Sequence, residues 1–374
     1  MNTLTKVNLA GIAKQFQIQD SLEKITSFGN GHVNDTYSVL CNDGRYVSRY
    51  ILQRINHSIF KYPLKLMENI VRVTNHVRNK LTNQDVQNSD RRVLTVIPTK
   101  DGSNCYHDTE GCYWRMYRHI ENVRSWDYLN SEDQAYKAAR MFGWFQRMLI
   151  DLPGPKLNDV IPNFHNTPKR LKDFMMILDN DPNNRAHSSK NEIQFILDHV
   201  EICDRLVELV RNELIPERIT HNDTKINNVL FDIDTKKGVC VIDLDTVMPG
   251  LSLYDFGDMV RTATCKAAED EKDLSRIKLD IKFFEKIALG YIQETGSFLT
   301  DVEKENLVFT GVLITFEQMI RFLSDYLNGD VYYKIHRPEQ NLDRAKTQMK
   351  LVHSIFNQEE QMNAITNHIC KNLS

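Results

Sequence analysis

The sequence predicts an α+β protein of two lobes, an N-terminal antiparallel sheet of five strands with one helix followed by a larger, mostly helical lobe. Three observations predict it. The first third of the 374 residues carries short β-branched and aromatic runs separated by Gly, Asn and Asp turns. The remaining two thirds carry long segments whose apolar residues recur at intervals of three and four. The chain is 41% hydrophobic and 26% charged, an ordinary globular composition with enough length for two cores.

Taken in order, residues 24–28 read as the first strand, Gly29-Asn30-Gly31-His32 as a loop and 33–41 as the second strand. Asn42-Asp43-Gly44 then turns the chain into a third strand over 45–55. Between 61 and 81 the residues Leu64, Met67, Ile70, Val71, Val73, Val77 and Leu81 define the lobe's helix, which carries Glu68 as a candidate partner for a basic residue of the third strand. Strands over 93–97 and 112–120, with a turn at Lys100-Asp101-Gly102, complete the sheet. The expected domains are therefore 1–119 and 120–374. Helical spacing recurs over 132–150, 167–178, 190–214, 281–295, 301–327 and 341–372. The polar stretch 179–189 reads as a surface loop.

A net charge of −3 and a pI near 6.5 leave no electrostatic footprint for nucleic acid or acidic lipid. A small-molecule partner and a monomer are expected. Seven cysteines form no Cys-x-x-Cys pair, and several lie inside apolar runs, so reduced core thiols are expected rather than disulfides or zinc. Residues 1–20 lack an apolar leader, and no run of some 18 apolar residues is evident, which places the chain in the cytoplasm without a membrane partner.

The most informative stretch is His221-Asn222-Asp223-Thr224-Lys225-Ile226-Asn227-Asn228, followed by two short apolar runs around a turn that lead to Asp243 and Asp245. Phosphoryl transfer to a hydroxyl needs a carboxylate that receives the hydroxyl proton and oxygen ligands that hold magnesium against the phosphates. This segment offers all three. The Gly29 to His32 loop lies between two strands, and its glycines can let backbone N–H groups approach nucleotide phosphates. Taken alone, the loop reads more readily as an ordinary hairpin turn.

The order of glycine hairpin, helix, linker strand, long helices, His-x-Asp-x-x-x-x-Asn and Ile-Asp resembles the aminoglycoside phosphotransferase and choline kinase superfamily, over nearly the whole chain. Ile161-Pro162-Asn163-Phe164-His165-Asn166-Thr167, the loop from His221, Ile242 to Gly250 and Arg321 to Asp330 look like N-acetylhexosamine 1-kinases. The resemblance implies a protein-kinase-like fold, and the use of ATP and Mg2+ to phosphorylate the anomeric hydroxyl of N-acetylglucosamine and N-acetylgalactosamine. It implies Asp223 as base or orienting group, His221 as brace, Lys225 near the transferring phosphate, and Asn228 and Asp243 as metal ligands. Asp245 is implied at sugar or metal, with the spacing unable to choose. Asp255 matches a carboxylate that ties the catalytic loop together. Sugar contacts are expected from Asp223, Arg321 and Tyr332, against a surface salt bridge for Arg321. His32 either faces the sugar or is a solvated loop histidine, and His165 and Arg170 read as structural. The third strand has no Lys for the phosphates; Arg54 is the candidate, with an exposed edge arginine as its alternative. Adenine is expected between the lobes, on the backbone of Met116, Tyr117 and Arg118. Another acceptor (an aminoglycoside, an amino alcohol) or a non-catalytic nucleotide-binding scaffold stand as the competing functions.

Overall fold

The computed structural model describes residues 8–18, 21–29, 33–84, 86–126 and 128–373. Its contacts gather into two units. The first holds the described residues up to Val123 together with 152–161 and 240–247; the second holds 124–151, 162–239 and the chain from Met248 onward.

In the first unit, α1 (Leu9–Ala13) precedes β1 (Leu22–Ser27), β2 (Asp35–Asn42) and β3 (Val47–Ile55), then α2 (Pro63–Asn83), β4 (Val96–Ile97), β5 (Tyr106–His107) and β6 (Tyr113–Arg118). The strands form one antiparallel sheet in the order β1-β2-β3-β6-β4, with β5 also on β6. The sheet thus has six strands where the sequence predicts five. The extra strand is two residues long, too short to show an alternating pattern. The turn at Asn42 to Gly44 forms as expected: Gly44 is left-handed (φ +87°), and Asp43 Oδ1 accepts from the amides of Arg45 and Tyr46, both at 2.7 Å.

Side chains alternate across the sheet. One face (Val39, Cys41, Tyr50, Leu52, Trp114, Met116) packs under Ile12, Ala13 and Phe16 of the α1 segment, which the sequence reading leaves polar and unassigned. The other carries Gln53 and Arg115, bonded to each other at 3.0 Å. The helix α2 starts on Pro63, which needs no N–H donor there, and buries Leu66, Met67, Ile70, Val73, Val77 and Leu81. Its buried Asn69 explains why two segments from later in the chain belong to this unit. The Asn69 amide donates to Asn158 O (2.8 Å) and Val247 O (3.1 Å), and its oxygen accepts from Asn158 N (2.9 Å). The short β7 (Val123–Arg124) straddles the division between the units.

The second unit contains α3 (Glu132–Leu149), α4 (Thr167–Asn180), α5 (Lys190–Leu197), α6 (Arg205–Arg211), β8 (Arg218–Thr220), β9 (Val229–Asp232), β11 (Met248–Gly250), α7 (Ser252–Ala263), α8 (Ile281–Thr295), α9 (Asp301–Glu305), α10 (Leu307–Leu327), α11 (Gln340–Phe356) and α12 (Glu359–Leu373); β10 (Gly238–Val241) straddles the division. Here α3 and α12 pack on α8, and α10 is wrapped by α4, α7 and α11. By length and composition α10 could cross a membrane, a departure from the reading that no such apolar run exists, but most of it is buried in this core. Three predicted helices are interrupted: 190–214 by a 3-10 turn at Val200–Cys203, 301–327 at Asn306, and 341–372 after Phe356. Ile202 and Cys203 stay buried through the first interruption, so the apolar spacing survives the break.

Candidate active site

In the second unit β8 pairs antiparallel with β11, Thr220 opposite Met248 and Arg218 opposite Gly250. A Cβ at Gly250 would lie 2.3 Å from Thr220 Oγ1 and 2.7 Å from Asn222 Oδ1, so glycine is required where the two strands close on the loop. The loop that follows β8 is gathered by Asp255, in the first turn of α7. Its carboxylate accepts from His221 N (3.0 Å), Asn222 N (2.7 Å) and Gln146 Nε2 (2.5 Å), and its carbonyl accepts from Thr224 Oγ1 (2.6 Å). This is the tying role read for Asp255. Burial pushes its carboxyl upward despite the pull of His221 and the donors. Asn222 is left-handed (φ +64°), a conformation that Asn tolerates better than most residues.

His221 is fully buried, set edge-on to Phe142 (5.4 Å) and Phe145 (6.0 Å) of α3. Its Nδ1 accepts from Asp223 N at 3.3 Å, so it braces the loop from inside. Asp223 is partly exposed and pairs with the half-exposed Lys225 at 3.0 Å. Burial works against ionisation of Asp223, but Lys225 and His221 outweigh it and hold the carboxyl below its usual range. Lys225 is in turn raised, first by Asp223. Asn228 donates its amide to Asp223 O at 2.9 Å and Oδ2 at 3.3 Å, so its side-chain oxygen is the atom able to accept a cation. His165, read as structural, bonds Asn222 O (3.2 Å) and Glu317 (2.9 Å) and supports the loop from the other side.

In the first unit Asp243 is left-handed (φ +58°) and exposed, and starts a 3-10 turn over Leu244–Thr246. An exposed carboxylate and an amide oxygen are hard donors of the kind Mg2+ takes, so Asp243 and Asn228 have the right chemistry for that ion. Asp245 is placed otherwise than the sequence implies. It is only 2% exposed and forms a bidentate pair with Arg115, whose Nη2 lies 2.9 Å from Oδ2; Asn34 Nδ2 donates to the same oxygen at 2.7 Å. Both of its oxygens are bonded inside the first unit, where Asp245 holds structure. Sequence reasoning passed over Arg115. The available signal is a charged residue within the aromatic strand β6, which demands a buried acid.

Three further groups named from the sequence are placed as follows. Arg54 lies on the sheet face opposite Gln53 and Arg115, paired with Asp35 and touching Cys112. It does not meet Glu68, whose carboxylate accepts instead from Asn158 Nδ2 at 3.1 Å. The backbone of Met116, Tyr117 and Arg118 is committed to the neighbouring strands, with β6 paired to β3 on one side and β4 on the other and Arg118 N bonded to Thr95 O at 2.9 Å.

Gly29 is left-handed (φ +71°) and exposed; Gly31 and His32 lie outside the described residues. In the second unit Arg321 bonds the neutral Gln318 at 3.0 Å and lies against the rings of Phe164 (5.5 Å) and Tyr333 (5.7 Å). Among the described residues no carboxylate pairs with it. Arg170 is close enough that the Arg321 charge, after burial, helps lower its pKa. Tyr332 is exposed, and it is Tyr333 that packs beside the guanidinium.

The sequence profile described as the phosphotransferase enzyme family matches residues 24–279. Among solved structures, an aminoglycoside phosphotransferase from Alicyclobacillus acidocaldarius is similar over 97% of this chain and 96% of its own (10% identity, TM-score 0.55). A spectinomycin phosphotransferase in complex with ADP and spectinomycin is similar over 94% and 98% (12% identity, TM-score 0.54). The choline kinase of Cryptosporidium parvum is similar over 93% of each chain (12% identity, TM-score 0.53). At these identities the likeness establishes the fold, the kinase-like α+β arrangement with an N-terminal antiparallel sheet and a helical C-terminal part.

Proposed function

The chain belongs to the phosphotransferase enzyme family and is a small-molecule kinase, and on that premise we propose that it transfers the γ-phosphoryl group of ATP to the anomeric hydroxyl of an N-acetylhexosamine. The acceptor class rests on the motif resemblance and on one observation, the placement of Arg321 near Arg170 with no carboxylate ion-paired to either among the described residues, Glu317, whose charge reaches both, being bonded to His165 and Thr167. Two neighbouring guanidiniums repel a cationic acceptor such as an aminoglycoside or an amino alcohol. A guanidinium fork flanked by aromatic rings suits the hydroxyls and acetamide carbonyl of a neutral sugar.

Asp223 accepts the hydrogen bond of the acceptor hydroxyl and directs its oxygen at the γ-phosphorus. As the new O–P bond forms and the bond to ADP breaks, the hydroxyl proton passes to Asp223 and on to solvent. Because Lys225 and His221 keep that carboxylate ionised and weakly basic, alignment contributes more than proton abstraction, as a loose transition state allows. Lys225, paired to Asp223, places a positive charge beside the transferring group. Asn228 and Asp243 are the proposed ligands of Mg2+, which when bound neutralises phosphate charge.

The test is ATP- and magnesium-dependent ADP release with N-acetylglucosamine, N-acetylgalactosamine, unmodified hexoses, choline and an aminoglycoside in parallel, with phosphorus NMR of the product. An anomeric phosphate formed chiefly from the N-acetylated sugars is expected. Preferential turnover of a cationic acceptor would discard the acceptor and keep the catalytic residues.

A further inference from the structure

The first unit contains a device that neither the motif nor the family assigns. The Arg115 guanidinium is buried, held at Nε by Gln53 (3.0 Å) and closed on both oxygens of Asp245. Asp245 stands two residues after Asp243, inside the single 3-10 turn that joins them. The far end of that turn is held as well. Val247 N bonds Leu244 O at 3.1 Å, and Val247 O accepts from Asn69 of α2 at 3.1 Å. The turn that starts at Asp243 is therefore fixed from the sheet at Asp245 and from α2 at Val247, with Asp243 left-handed and exposed at its beginning. The same Asp245 carboxylate also holds Asn34 at 2.7 Å, and Asn34 Oδ1 accepts from Asn56 N at 3.0 Å, which pins the residue that follows the glycine loop.

We infer that Arg115 and Asp245 are positioning residues that set the place of Asp243 and of the glycine-loop exit, so that magnesium-nucleotide affinity depends on their bidentate geometry. The inference rests on Asp243 being a metal ligand, as proposed above. A buried ion pair that served stability alone could be exchanged for apolar side chains of similar volume with little loss. A pair that orients a turn could not, because apolar groups offer neither the fork that fixes Asp245 nor an acceptor for Asn34.

The experiment measures thermal unfolding and the binding of ADP by calorimetry, with and without Mg2+ and without any acceptor, in Arg115→Met, Asp245→Leu, the double variant, Arg115→Lys and Asp243→Asn. Each apolar single variant leaves one buried charge unpaired and should lower the melting temperature; the double variant should recover most of it. The expected signature is a double variant that melts near the wild type yet binds ADP in Mg2+ about tenfold or more weakly, with magnesium-free binding little changed, a loss of the size seen when groups orienting metal ligands are removed. Should the double variant not fold, Arg115→Lys carries the test: it keeps the charge, lacks the fork and should show the same selective loss. Wild-type magnesium-dependent affinity in the folded double variant or in Arg115→Lys would overturn the inference while Asp243→Asn still lost it. If Asp243→Asn also kept it, the metal role proposed for Asp243 would fall, and this inference with it.

Discussion

The loop 221–228 of the second unit and the turn 243–247 of the first solve one problem with different chemistry. Each presents one aspartate, Asp223 or Asp243, and is held by a buried one, Asp255 of α7 or Asp245 of the turn itself. Each contains a left-handed residue, Asn222 or Asp243, in a conformation that only surrounding structure sustains. The difference lies in the donors. Asp255 sits among neutral donors, two backbone amides and Gln146, and burial raises its pKa. Asp245 sits in the fork of a charged Arg115. Neutral donors hold a backbone shape and tolerate a neutral acceptor poorly but locally, whereas a buried fork couples its acid to a distant strand and leaves a cation stranded if the acid is lost.

The largest effect that separates the two presented aspartates is expected from Asp223→Asn. Turnover should fall by about 100- to 10,000-fold with magnesium-ADP affinity nearly intact, in keeping with loss of a positioned acid/base group. Near-normal single-turnover rates would remove Asp223 from the chemistry. Asp243→Asn should act on the other quantity, weakening magnesium-dependent ADP binding by about tenfold or more as well as slowing turnover; calorimetry across a magnesium series reads it directly.

The two holding aspartates are compared by stability. Asp255→Ala leaves the buried amides of His221 and Asn222 without their acceptor and should cost about 2–5 kcal/mol in urea unfolding, with no change in the melting response to Arg115→Lys. A smaller step, Gly250→Ala, pushes a methyl group against Thr220 and Asn222 and should cost about 1–3 kcal/mol. An unchanged midpoint would mean that β8 and β11 separate easily. The finest test is Lys225→Met. Removing the cation that depresses Asp223 raises its pKa, so the acid limb of the turnover profile, where activity falls as Asp223 protonates, should move to higher pH. An unmoved limb would assign it to another group.

Much of this was legible in the sequence. The Asn42 to Gly44 turn, the helix after Pro63 and the spacing of Asp223 and Asn228 are local patterns, and local patterns survive in one dimension. The helix α7 was missed for a physical reason: its residues are buried on nearly every side, so no polar face marks a period of 3.6. The central place of Met116 and the pairing of Arg54 with Asp35 were not legible because a sequence shows neither which strand is central nor which face of a sheet a residue occupies.

By itself the sequence determined the fold class, the motif and the side chains proposed for phosphoryl transfer, because each follows from residue type, short spacing and the resemblance they carry. Only the tertiary structure decided which aspartates are presented and which are buried. That assignment depends on partners far away along the chain, Arg115 lying 130 residues from Asp245 and Gln146 lying 109 from Asp255. A carboxylate acts as ligand, base or anchor according to the donors that surround it, and those donors meet it only when the chain has folded.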